Sequence, residues 1–135
     1  MKAEFSMTGC NEWVLSWFAK AENDLIVANI IRSAQKGLHD ILCFHCQQCA
    51  EKYLKGYLAA HEQKIEKTHD LERLLRSCSQ IDPSFARLVE PCSTLSQYAV
   101  HARYPDDLAE YTQEDAAQAL DHATRIKEFV LSKIL

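Results

Sequence analysis

The sequence predicts an all-α fold, an up-and-down bundle of four long helices and one short one. Three observations carry this expectation. Apolar residues recur at spacings of three and four along nearly the whole chain, the period of a helix with a buried face. The 135 residues contain only 3 Gly and 3 Pro, too few for the turns of an all-β domain. The hydrophobic fraction is 47%, enough to fill one core, and the length suits a single domain. No repeat, low-complexity tract or linker interrupts it. Residues 1–135 therefore read as one helical domain, with 1–10 as a loosely ordered tail.

The first helix is expected from about Asn11 to Ala34. Val14, Phe18, Ala21, Leu25 and Ala28 form its stripe, with Trp17 beside it. Ile26, Val27, Ile30 and Ile31 add apolar surface on other sides, so this helix packs on two sides, the second offered to a partner subunit. Around Gly37 the pattern breaks. A second helix runs from about Asp40 to Glu62, burying Leu42, Cys46, Cys49, Ala50, Tyr53, Leu54 and Tyr57. Gln48, Lys52 and Lys55 share the opposite side, because offsets of four and three return to nearly the same angle.

A short helix is expected from about His69 to Ser79, with Leu71, Leu74 and Leu75 inward, ended by Asp82-Pro83. A fourth covers about Pro83 to Val100 and contains Pro91, which kinks or splits it. His101 to Asp107 read as a loop, Pro105 disfavouring helix before it. Thr112 reads as the N-cap of the last helix, with Glu114 and Asp115 at its positive end. That helix continues to about Lys133 on Ala116, Ala119, Leu120, Ala123, Ile126, Val130 and Ile134.

Charge and composition exclude several classes. A net charge of -4 does not suit a globally basic nucleic-acid binder, though a local patch is compatible with it. No apolar run approaches the ~18 residues of a membrane span. The start of the chain lacks the basic and apolar regions of a signal peptide. Six cysteines, Cys10, Cys43, Cys46, Cys49, Cys78 and Cys92, invite disulfide or metal readings. Three of them sit at i, i+3 and i+6 on one helix, a poor geometry for disulfides or for a single ion. Free thiols in a reducing cytoplasm, packed as small hydrophobes, are the expectation, with no metal or cofactor.

Three blocks carry the functional signal. They are Phe44-His45-Cys46-Gln47-Gln48-Cys49-Ala50-Glu51-Lys52-Tyr53-Leu54-Lys55, then Thr68-His69-Asp70-Leu71, then Ala102-Arg103-Tyr104-Pro105. Their order and separation resemble the HEPN domain family (higher eukaryotes and prokaryotes nucleotide-binding), over about Trp13 to Leu131. The resemblance implies a helical bundle, often a homodimer, and commonly a partner among small nucleotidyltransferases in toxin–antitoxin-like modules. It implies a binding or regulatory role toward such a partner, or toward the phosphate of a nucleotide or RNA.

Two lysines one turn apart beside an amide can grip phosphate, so Gln48, Lys52 and Lys55, joined by His69 and Arg103, are the candidate binding residues. The competing reading is a solvated face with Glu51 and Lys55 paired at i, i+4. Asp24 is a candidate ion partner for Lys52 or Arg103. Some family members are metal-independent RNases with an Arg, four to six residues, then a His, late in the bundle. Here neither Arg87 nor Arg103 is followed by such a His, and Arg32 with His39 is the literal match, in the wrong place. Arg32, His39 and His69 are thus the catalytic candidates of an RNase toxin with a displaced site. A purely structural dimeric scaffold is the remaining alternative.

Overall fold

The computed structural model describes residues 11–101 and 110–134. These form α1 (Asn11–Ala34), α2 (His39–Ala60), α3 (Leu71–Ile81), a 3-10 segment (Pro83–Leu88), α4 (Val89–Ser96), α5 (Tyr98–His101) and α6 (Gln113–Ile134). The described residues contain no strand. The predicted stripes are the core: Val14, Phe18, Ala21, Leu25 and Ala28 of α1 and all seven named residues of α6 are buried. α2 is the central rod. It packs on α1, α3, α4, α5 and α6, and its residues from Cys49 to Ala60 are buried with the single exception of half-buried Lys52.

Caps set the boundaries. α3 begins at Leu71, two residues later than expected, because the Asp70 carboxylate accepts from the N–H groups of Glu72 (3.0 Å) and Arg73 (3.3 Å). Thr112 caps α6 as predicted, within a reciprocal pair. Its Oγ1 accepts from the Asp115 N–H at 3.0 Å, while Asp115 Oδ2 accepts from the Thr112 N–H at 2.9 Å. The fourth rod is not continuous: a 3-10 segment and two short helices replace one long helix. Pro91 does not kink it. It occupies the first turn of α4, where a missing N–H costs nothing.

α1 packs closely on α2 at Gly56. A Cβ there would lie 2.7 Å from Phe18 Cδ1 and closer still to Cε1, and that ring is stacked on Tyr53 at 5.6 Å between centroids. Gly56→Ala is therefore expected to lower stability by ~1 kcal/mol in urea denaturation, overpacking outweighing the gain in helix propensity.

His122 is buried in α6, and its Nε2 has no hydrogen-bond partner among the described residues. Burial holds the imidazole below its ordinary 6.5; Glu90 and Asp121 oppose this and Arg125 adds to it. The unfolded chain then binds the proton more readily. The stability due to neutral His122 is complete above about pH 6.5 and is lost as pH falls below that value. A melting temperature declining from about pH 7 to about pH 5.5, with a shallower decline in His122→Leu, is expected. Asp82, whose carboxyl is lowered to about 2 chiefly by hydrogen bonds from Ser84, titrates in a lower range.

Candidate polar site on the central helix

His45, Gln48, Lys52 and Lys55 follow one another at offsets of three, four and three, so α2 lines them up along one edge. The structure corrects the environment expected for this edge. It is not a solvated face, because α1 lies over it. Lys55 is buried, its Nζ 2.9 Å from Glu51 Oε2 and 5.7 Å from the centroid of the Trp17 ring. Lys52 Nζ stands 2.6 Å from Asp24 Oδ2, one of the two partnerships anticipated for Asp24.

Two carboxylates organise the edge. Asp24 holds Lys52 and, at 2.8 Å, Nδ1 of His45. Glu51 holds Lys55 and, also at 2.8 Å, Nδ1 of His69. The buried amide of Gln47 ties the second group together, donating to the His69 carbonyl at 2.9 Å, and Gln48 donates to Gln47 Oε1 at 2.7 Å. Each imidazole thus has one nitrogen fixed by a carboxylate. Its Nε2 has no partner among the described residues, and His69 is 59% exposed. The buried indole N–H of Trp17, whose ring covers Lys55, also lacks a partner among them. Carboxylate–imidazole pairs of this kind set the tautomer and orient the free nitrogen toward a ligand or proton.

Gln48, Lys52, Lys55 and His69 are therefore brought together, and Arg103 lies outside the described residues. Arg32 and His39 are elsewhere. His39 begins α2, about 20 Å along the helix from Lys52 at about 1.5 Å per residue. His45 and Gln47 are members of this site that helical phase and residue type did not single out. The signal for His45 is present all the same: seven residues before Lys52, it shares its helical phase.

Cys10 lies outside the described residues, and the five described cysteines take no part. Cys43, Cys46, Cys49, Cys78 and Cys92 are free and buried. Burial raises their thiol pKa values, that of Cys43 to about 12, which keeps them protonated and unreactive. Among the described residues no three His, Cys, Asp or Glu side chains are grouped as metal ligands.

The HEPN domain profile matches residues 14–134. The chain belongs to the HEPN family. It is 28% identical over 126 residues to the candidate toxin MJ1304 of Methanocaldococcus jannaschii, an alignment covering 82% of this chain and 81% of that protein. Its fold is similar to the crystal structure of TT1696 from Thermus thermophilus, with a TM-score of 0.80 and 31% identity over 89% of this chain and 97% of the other. It is also similar to ST0689, an archaeal HEPN homologue, with a TM-score of 0.73 and 31% identity over 90% of this chain and 98% of the other. The polar edge of α2 and the His69 segment both fall inside the matched HEPN domain. No helix among the described residues is long and apolar enough to cross a membrane.

Proposed function

We propose that this HEPN protein is the binding component of a toxin–antitoxin-like module in the cytoplasm, and that its α2 edge contacts the phosphate of a nucleotide or RNA. The observation that carries this reading is the pair of carboxylate-held imidazoles. In the imidazolium form His45 and His69 each offer an Nε2–H donor to a ligand, with half-buried Lys52 held by the same Asp24 as His45 and Gln48 beside the second network. Charge-assisted donors held in place by buried acids bind a phosphate at little ordering cost. The likeness to a candidate toxin supports the module. Five buried, reduced cysteines suit a reducing compartment. The family commonly pairs with small nucleotidyltransferases, and such a protein is the partner expected for this chain.

Thermal stabilisation tests the reading. ATP or tRNA is expected to raise the melting temperature of the wild type but not of a His45→Gln, Lys52→Gln, His69→Gln variant. Lys55 is left intact because its removal would strand Glu51. Stabilisation only by a nucleotidyltransferase partner would replace phosphate binding with protein docking. Metal-independent RNA cleavage abolished by His69→Gln would make the same edge catalytic.

The binding component itself is proposed to be a homodimer through α1. Leu15, Ile26 and Ile30 are exposed, and with Ala19 they share one side of the helix, away from the buried stripe. Their positions are palindromic about the midpoint between Glu22 and Asn23: Leu15 mirrors Ile30, and Ala19 mirrors Ile26. Two copies of α1 crossing antiparallel on a two-fold axis would thus set Leu15 against Ile30 and Ala19 against Ile26, both pairs twice.

A further inference from the structure

A cavity of about 620 Å³ opens at the end of the bundle where the α1–α2 connection meets the start of α6. Its volume falls within the roughly 300–1,000 Å³ typical of small-molecule sites. Ile31, Leu42 and Ala116 supply apolar lining, and Arg32 and His39 supply cationic and ionisable groups. Neutral donors complete the lining, among them the Gln113 amide. No carboxylate lines the cavity among the described residues, although the chain as a whole carries a net charge of -4. Asp40 and Asp115, in the first turns of α2 and α6, lie outside it, and Asp115 is occupied by the Thr112 backbone N–H.

The connection that brings Arg32 and His39 to one cavity is conformationally costly. Gln35 and Leu38 have φ of 52° and 55°, and Gly37 has φ of 80°. Left-handed backbone is strained at the two non-glycine positions. The Arg32 side chain forms no ion pair or hydrogen bond among the described residues, so its guanidinium donors are available. The first turn of α2 has no side-chain cap, which adds a modest positive potential on the same side.

We propose that this cavity binds a small phosphate monoester, Arg32 gripping the phosphate in bidentate fashion, His39 donating to it, and Ile31, Leu42 and Ala116 receiving the organic group. The site is separate from the α2 edge and does not depend on the function proposed for that edge.

Amide-resolved NMR titration with ribose 5-phosphate, and with inorganic phosphate alongside it, tests the assignment. Both are expected to shift Ser33, Gln35, Gly37, His39 and Gln113 saturably, the monoester binding more tightly because of the apolar lining. Arg32→Gln, at an exposed position, is expected to weaken binding at least tenfold without changing the melting temperature, and Lys52→Gln is expected to leave it intact. Shifts confined to His45, Lys52 and His69, equal affinity in Arg32→Gln, or no saturable shift at this cavity would each overturn the proposal.

Discussion

Replacing Lys55 by Met is expected to destabilise the protein by about 3–5 kcal/mol, the range for stripping one partner from a buried ion pair. Glu51 and Lys55 are both nearly inaccessible, with side chains 5% and 7% exposed. Without the ammonium, Glu51 would keep, among the described residues, only His69 and the amides of Gln47 and Gln48 as partners. The desolvation cost of the carboxylate would then be left largely uncompensated. Adding Glu51→Gln to Lys55→Met removes the stranded charge and should recover most of the loss, a coupling that a double-mutant cycle in urea measures. A loss below about 1 kcal/mol in the single variant, the worth of an exposed pair, would show that the network is open to water.

The second large effect concerns assembly. Ile26→Glu with Ile30→Glu places four carboxylates on the proposed two-fold contact and is expected to turn a dimer into a monomer by sedimentation at micromolar concentration. The fold should be unaffected, because both side chains are exposed in the single chain. A wild type that sediments as a monomer, or a dimer that survives both changes, would remove α1 from the interface.

The core is the most legible part of the sequence. Helical phase alone names which residues of α1 and α6 face inward, and Thr112 announces its cap through Asp115 three residues later. Phase also places Gln48, Lys52 and Lys55 on one side, as the structure has them. It does not show what lies over that side, because burial of α2 all round depends on where α1 crosses it. The same spacing that suits an exposed Glu51–Lys55 pair therefore describes a buried one. The periodicity puts His69 inside a helix, but the Asp70 side chain satisfies the first free N–H groups of α3 and leaves His69 in the preceding segment, free to reach Glu51. Pro91 reads as a kink in the sequence because its depth within a helix depends on where that helix begins. The shared cavity of Arg32 and His39 follows from left-handed backbone at Gln35 and Leu38, residues that do not advertise it.

Fluorescence anisotropy of a labelled single-stranded RNA tests the phosphate-binding claim most directly, in the wild type and in the His45→Gln, Lys52→Gln, His69→Gln variant, at several salt concentrations. Saturable binding that weakens with rising salt is expected, with at least tenfold weaker binding in the triple variant and unchanged binding in Arg32→Gln. Equal affinity in wild type and triple variant, or no binding by either at low salt, would contradict it.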